Sequence, residues 1–486
     1  MAIIISRSLK VKLAVVVLVL AVLEQIRFRF FRAGKERHSL LPGPNWTLPL
    51  FGGIFDIVRN PHKFWEDQRA FGALSWNSIC GVFMVFAHDR DVVRSAFAQN
   101  GKDSFTLMLH PNANQILGKD NIAFMSGPSH RRLRGTFLTL FTPKALSSYL
   151  DTQLELIQSH RNEWLRDQRE GEFVEMWPKL RDLNALTSQQ VFLGKHLRDP
   201  QRFSDLFVLI TQGFLSLPLN LPGTGLYKAV KAREEIEGFF TDAVHASKLA
   251  MSNGEQPACL LDFWATYMMD AAKTATSALE HSSDREMGLV MLDFLFAAQD
   301  ASTSSLLWTL CLLDEHPQVL QRVREEQAAV TEMKLSSPFE RLGKMTYTKA
   351  VVMEILRFRP PAPMVPFLAE KDMELNQNFS IKKGSMLFAD IWKPTIEGFP
   401  NGLEFDPDRM LPERREDVKY KESFLTFGFG PHLCVGQHYA INHLVIFLSE
   451  LAQTCEWERK ITGQSQVIDY RPTVCPGDCL IKFKRI

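Results

Sequence analysis

Between Gly288 and Leu313 the chain is almost wholly apolar, yet Asp293, Gln299 and Asp300 interrupt it. Each ionised centre costs roughly 2.5–3.5 kcal/mol on insertion into a bilayer, which argues against a membrane span. The remaining solution is a central helix buried inside a large domain. Its middle, Ala297-Ala-Gln-Asp-Ala-Ser-Thr303, combines small residues at 297, 298 and 301 with polar ones from Gln299 to Thr303. Small side chains let a ligand approach closely, and the polar ones can hold water and relay protons. Enclosing such a helix needs a large core, which 486 residues, 45% of them hydrophobic, can supply.

Lys plus Arg total 56 against 55 for Asp plus Glu, so the formal charge of +1 excludes a generic polyanion binder; no nucleic-acid partner is expected. Seven cysteines spread over this length are not a disulfide framework, and a reducing compartment suits them better. Residues 1–38 hold eight basic residues against Glu24 and Glu36, a local charge of +6, leaving 48 basic and 53 acidic residues elsewhere. Between the basic clusters lies Leu13–Leu23, uncharged and apolar. At about 1.5 Å per residue it falls short of the ~30 Å hydrocarbon layer, although long arginine stems can snorkel to the headgroups. A signal peptide is the alternative, but no small-x-small cleavage site follows the run. More basic residues follow it than precede it, which places the bulk of the chain on the cytosolic side of a retained anchor.

Leu41-Pro-Gly-Pro-Asn-Trp46 cannot continue a helix and sets the entry into the globular part. Beyond it the pattern is mostly helical. Asp151–Arg169 reads as an amphipathic surface helix, Leu221-Pro-Gly-Thr-Gly225 as a break between helices, and Asp314–Met333 as one polar helix. Strand-like pieces are few: Val82–Ala87, Met386–Phe388 and Leu480–Phe483.

Near the C-terminus, Phe427, Gly430, His432, Cys434 and Gly436 have the spacing F-x-x-G-x-[R/H]-x-C-x-G. Glycines on both sides of a cysteine let the backbone turn tightly enough for N–H groups to face the sulfur. A helical run from Gln437 starts just behind it, and its partial positive charge favours a thiolate. Such a thiolate is what a haem iron needs as the ligand that helps split the O–O bond. Glu354 and Arg357 share a helix face at i,i+3 upstream, a spacing that alone means only a surface ion pair. Phe405-Asp-Pro-Asp-Arg-Met410 adds Arg409 in a proline-broken segment.

In this order these elements resemble the haem-thiolate monooxygenases of the cytochrome P450 superfamily, over Leu41–Ile486. The resemblance implies a mainly α fold, a large helical domain with small sheets at 33–486 behind an anchor helix at 1–32. It makes Cys434 the ligand of the iron of haem b, with Phe427, Gly430 and Gly436 shaping its loop. It makes Glu354, Arg357 and Arg409 a structural triad. The chain departs from the family's pattern in several places. Ala298 stands for the usual glycine and Ala301 for the usual proton-delivering threonine, leaving Asp300 with Ser302 or Thr303 as the catalytic relay. His130-x-x-x-Arg134 replaces W-x-x-x-R, His432 stands where arginine is common, and Phe367 stands where a basic residue often reaches a propionate. Arg134, His130 and His432 are therefore the candidates for the haem carboxylates.

The strings Phe296–Ser305, Gly430–Leu444, Leu221–Gly225, Pro143–Leu146 and Leu183–Phe192 are similar to those of the sterol 22-desaturases. That likeness implies an enzyme of the endoplasmic-reticulum membrane, with its catalytic domain in the cytosol. It would use O2, and electrons from NADPH via NADPH–cytochrome P450 reductase, to place a double bond between C-22 and C-23 of a sterol side chain. The rival readings are a sterol or fatty-acid hydroxylase, a sterol 14-demethylase, a haem- or sterol-binding membrane protein without turnover, and a zinc protein using Cys455, Cys475 and Cys479.

Overall fold

The Ser283 hydroxyl accepts the Glu286 N–H while the Glu286 carboxylate accepts the Ser283 N–H, and this reciprocal cap opens a helix over Asp284–Glu315. It is the central helix expected from the apolar stretch, extended at both ends. Met291, Leu292, Leu306, Leu307, Leu310 and Leu313 are at most 1% exposed. The single helix expected over Asp314–Met333 does not form: Pro317 cannot continue a helix but can start one, so a second helix runs Pro317–Glu332.

The computed structural model describes residues 7–35, 40–100, 104–108, 112–118, 121–169, 171–214, 216–274, 280–471 and 473–486. Its chain divides into two compact units, residues 1–108 with 364–394, and residues 109–363 with 395–486.

The first unit is built on a five-stranded sheet. Its strands are β1 (Leu74–Ile79), β2 (Val82–Ala87), β3 (Phe105–Leu107), β4 (Met364–Ala369) and β5 (Met386–Asp390), in the order β1-β2-β5-β4-β3. The β2–β5 pair is parallel, with Phe86 opposite Phe388; the other pairs are antiparallel. β1 escapes a reading by polarity because Ser75, Asn77 and Ser78 are buried and bonded, Ser75 to the Gln68 side chain at 3.1 Å and Ser78 to the Thr47 hydroxyl at 3.0 Å. β4 escapes because Pro366 lies within it.

A helix over Arg7–Phe31 leads into this unit. Val15, Leu18 and Leu23 are each more than half exposed, but Lys12 and Glu24 bracket the uncharged run, and among the described residues no helix is long and apolar enough to cross a membrane. The final turns of this helix belong to the folded unit, upstream of the Leu41 start that the sequence suggests. Phe28 is 1% exposed, its ring 5.8 Å from Trp76 and 5.7 Å from Phe83. The Leu50 N–H donates to Glu24 and the Gln25 side chain to the Thr47 carbonyl.

The second unit is helical, with two apolar clusters that meet along the central helix. Its strands form a hairpin of Ile468–Arg471 with Thr473–Pro476 and a sheet pairing Leu480–Arg485 with Cys455–Arg459 and Val174–Glu175, while a further hairpin, Met373–Glu374 with Ser380–Ile381, belongs to the first unit. The Asp151–Arg169 pattern becomes part of a longer helix, Pro143–Asp167, with Leu150, Ile157 and Trp164 on its buried side.

Glu354 and Arg357 do not form a surface pair. Both are 0% exposed and Arg409 is 1% exposed. Arg357 Nε and Nη2 donate to the Glu354 carboxylate at 2.7 and 2.8 Å, and Arg409 Nε donates to it at 3.1 Å. Glu416, which the sequence does not single out, accepts from Arg409 at 2.7 Å and balances the second guanidinium. The remaining arginine N–H groups hold the carbonyls of Thr395, Pro400, Gly402 and Glu404, fixing a segment that has little regular structure of its own.

Two outcomes follow for stability. Phe28→Ala should cost about 3–5 kcal/mol, whereas deleting residues 1–22 should leave the melting temperature nearly unchanged; equal melting of the Phe28 variant and the parent would show that the helix end is not part of the core. Glu354→Ala leaves a buried guanidinium pair with half its counter-charge and should cost about 3–5 kcal/mol, while Arg357→Lys should not rescue the fork geometry. Thermal unfolding of the two variants reads both.

Candidate active site

The cysteine loop is a tight hairpin closed by the Cys434 N–H, which donates to the Phe427 carbonyl at 2.9 Å. Gly428 and Gly430 sit at φ of 76° and 74°, the left-handed region that a side chain would strain. Gly436, the last residue before the helix Gln437–Thr454, directs its backbone N–H at the Cys434 sulfur. Burial pushes the Cys434 thiol up, and the Gly436 N–H and the Arg134 guanidinium pull it back. Helix position alone therefore does not make the thiolate; bonding to a metal deprotonates such a thiol outright. Cys434 lies deep yet keeps free surface, as do Phe429 and Leu433 beside it. That is the arrangement of a group at the floor of a cleft.

Across the same apolar cluster lies the middle of the central helix, where Ala298 and Val435 pack into one group of side chains. Ala297 is exposed and Ala298 and Ala301 are half-buried, in a helix that is otherwise closed to solvent from Ser302 to Leu313. The three alanines share one stripe by helical spacing, so the open surface lies over small side chains.

His130, Arg134 and His432 converge. The helix Gly127–Thr139 carries the first two one turn apart, and the imidazoles of His130 and His432 stack at 4.2 Å with an 18° interplanar angle. Both Nε2 atoms are buried and have no hydrogen-bond partner among the described residues. Arg134 donates to the Leu433 carbonyl. Burial pushes both imidazoles down to about 4, helped by Arg134 and, for His432, by His130. Two neutral, unpartnered N–H-bearing rings beside a guanidinium are a donor set suited to carboxylates. A thiol on a cleft floor, carboxylate donors at one side and an alanine stripe opposite fit a haem with its two propionates. Arg132, by contrast, pairs with Glu280 on the surface. Phe367 is 0% exposed and packs within the first unit's sheet against Phe97 and Phe105.

The three relay candidates do not share one environment. Asp300 faces Arg181, whose Nε donates to it at 3.3 Å; burial pushes this carboxyl up while Arg181 opposes the shift. Ser302 is buried at 8% exposure. Thr303 lies on the far side of the helix, donating to the Gln299 carbonyl at 2.8 Å and accepting from Asn184 at 2.9 Å. Arg181 and Asn184 both belong to the helix Met176–Phe192, and nothing local in their sequence announces a partner more than a hundred residues away.

The cysteines proposed for zinc do not gather: Cys479 touches Cys311 at 3.7 Å, and Cys455 lies against Thr454. His196, Cys259 and Asp262 do lie within 4.8 Å of one another. Asp262, however, already accepts from Ser247 at 2.6 Å and from the backbone N–H groups of Ala258 and Cys259, and meets His196 at 2.7 Å. That saturation describes a locked helix start rather than a waiting ligand set.

The sequence matches the cytochrome P450 family over residues 41–476. Cytochrome P450 710A3 of Arabidopsis thaliana is 37% identical over 480 residues, 97% of this chain and 95% of that protein. The C-22 sterol desaturase erg5 of Aspergillus fumigatus is 31% identical over 480 residues, 93% of this chain and 90% of its own. Among solved structures, the retinoic-acid-bound cyanobacterial CYP120A1 shares the fold with a TM-score of 0.78 at 23% identity, over 92% of this chain and 99% of that one. With the cysteine loop, the buried triad and a match across nearly the whole chain, the protein belongs to the cytochrome P450 family of haem-iron monooxygenases, which draw their electrons from a redox partner.

Proposed function

We propose that this chain is a sterol desaturase acting between C-22 and C-23 of the side chain, supplied with electrons from NADPH by a flavoprotein reductase. The observation that carries the reading is its likeness, over about nine-tenths of its length, to proteins named C-22 sterol desaturases, of which that of Aspergillus fumigatus is 31% identical. The alanine stripe at 297, 298 and 301 supports it, because a side chain held low over the cleft floor needs a facing wall without bulk. The exposed apolar run around Val15–Leu23 supports contact with the endoplasmic-reticulum membrane, from which a sterol must be taken, with both folded units in the cytosol.

The reaction balances as one sterol, one O2, two electrons and two protons giving the alkene and two waters. The haem, when bound, activates O2; the chain's own groups do the rest. Cys434 would hold the iron, with the Gly436 N–H on its sulfur tempering the charge. His130, Arg134 and His432 would bind the propionates. Asp300 carries protons from solvent into the site, exchanging its Arg181 partner for water, with Ser302 or Thr303 as the hydroxyl beside it. Because no hydroxyl stands at position 301, the pocket there is apolar. We expect that to favour loss of a second hydrogen from the adjacent carbon over transfer of hydroxyl to the first.

Reconstitution with reductase, NADPH and a panel of 24-alkyl sterols, with products read by mass spectrometry, tests this reading. A product two mass units lighter than its substrate is expected. A side-chain alcohol alone, or turnover of fatty acids and not sterols, would replace it with a hydroxylase. Ala301→Thr should raise the share of alcohol. For the ligand, Cys434→Ala should abolish the carbon monoxide difference band of thiolate-bound haem, while Cys311→Ala and Cys455→Ala, both buried in packing positions, should keep it. A band surviving in the Cys434 variant would remove the cysteine from the iron.

A further inference from the structure

The helix Met176–Phe192 presents Arg181 and Asn184, three residues apart, to Asp300 and Thr303, also three residues apart on the central helix. Asn184 does more than meet Thr303. It is 2% exposed, its amide nitrogen donates to Thr303 Oγ1, and its amide oxygen meets His443 Nε2 at 2.9 Å. His443, 1% exposed, sits on the helix Gln437–Thr454 that begins behind Cys434. The bond to a carboxamide oxygen requires the proton on Nε2, so His443 is a donor there. A chain of three hydrogen bonds thus runs from the helix behind the thiol, through Asn184 and Thr303, to the Gln299 carbonyl in the middle of the central helix.

Thr303 has no donor capacity left in this chain. Its single proton goes to the Gln299 carbonyl and it accepts from Asn184, which leaves no proton for an acceptor in the cleft. Ser305 and Thr309 repeat this bond to the carbonyl four residues earlier, on Ala301 and Ser305 at 3.1 and 2.8 Å.

We infer that Asn184 is a positioning residue that holds the middle of the central helix in register with the helix behind Cys434, and that Thr303 is the lock it grips rather than a proton donor. Proton delivery is then left to Asp300. The inference rests on the reading of Asp300 as the proton-carrying acid, but not on the identity of the substrate.

The test uses the haem-loaded full chain with Asn184→Leu, Asn184→Asp, Thr303→Val, Thr303→Ser, the Asn184→Leu/Thr303→Val double variant and Asp300→Asn. One readout needs neither substrate nor reductase: the rate at which the carbon monoxide complex loses its thiolate band. Thr303→Val and Asn184→Leu should each speed that loss roughly tenfold, the order expected when buried donors lose their partner. The double variant should be no faster than the faster single one, since both break one chain. Thr303→Ser should restore the parent rate. Asn184→Asp, which keeps the acceptor for His443 and loses the donor to Thr303, should resemble Thr303→Val. The second readout is the fraction of electrons released as hydrogen peroxide in the reductase-coupled system, which Asp300→Asn should raise well above any Thr303 variant. Independent, multiplying effects of the Asn184 and Thr303 changes, or band loss unaffected by either, would overturn the lock. Peroxide release by Thr303→Val as high as that of Asp300→Asn would return Thr303 to proton delivery. An Asp300→Asn variant that releases no more peroxide than the parent would reject the reading of Asp300, while the band-loss results would still decide the lock.

Discussion

Everything around the thiol depends on a cluster of four buried charges. Glu354 and Glu416 balance Arg357 and Arg409, and none of the four is more than 7% exposed. Each partner alone is costly to bury, so the cluster tolerates neither the loss of a member nor a shift in its geometry. What makes it organising is where the spare donors go. Arginine N–H groups pin carbonyls from Thr395 to Glu404, and the Asp406 N–H returns to Glu354 at 3.0 Å. Twenty residues after Asp406, the Thr426 hydroxyl donates to the Leu356 carbonyl, one residue before Arg357. The cysteine loop begins there. A segment with almost no helix or strand is thus as well determined as one with them, and the sulfur inherits that precision.

Those relations explain which parts were legible in the sequence. The cysteine loop was, because its glycines encode turn geometry within ten residues. So was the central helix, since an apolar stretch with embedded acids has few places to go. The Glu354–Arg357 pair was visible as a spacing, but its burial was not, because i,i+3 pairs look alike on the surface and in the core. Glu416 and Arg181 were invisible for a different reason: their partners lie on other elements, and a single charged residue carries no record of the chain that will fold against it. His130 and His432 were singled out by the motif positions they occupy. That they stack on one another is a tertiary fact. At the N-terminus, charge and hydropathy mark where the apolar run ends, yet only the ring contacts of Phe28 reveal where the folded unit begins.

The stacked pair also has a physical consequence. Two imidazoles at 4.2 Å beside a guanidinium are both pushed toward the neutral form by burial, so the three basic groups do not add up to three positive charges. An arginine in place of either ring would be charged from the start and would face Arg134 across a low-dielectric gap. The substitution pattern that departs from the family's common one is therefore internally consistent: replacing both the tryptophan and the arginine by histidine trades fixed charge for two neutral donors that can stack.

Of the six acids on the central helix, Asp293 and Asp300 stand seven residues apart on one side, and their surroundings differ. Asp293 accepts from the Asn121 amide and from the Ile122 N–H at 3.2 Å, and burial pushes it well above the ordinary carboxylate range. Burial favours its protonated form against the pull of the two N–H donors and of Arg233, and its bonds tie it to a neighbouring segment, so it acts as a fastener. Asp300 is also pushed up by burial, but its partner is a guanidinium, which favours the charged form, and its side chain keeps 17% of its surface open. Burial and a guanidinium oppose one another at both acids, but Arg181 bonds Asp300 directly, whereas Arg233 acts on Asp293 only through space. Both side chains keep part of their surface open, so what sets Asp300 apart is its direct guanidinium bond, the kind of balance that a proton carrier needs.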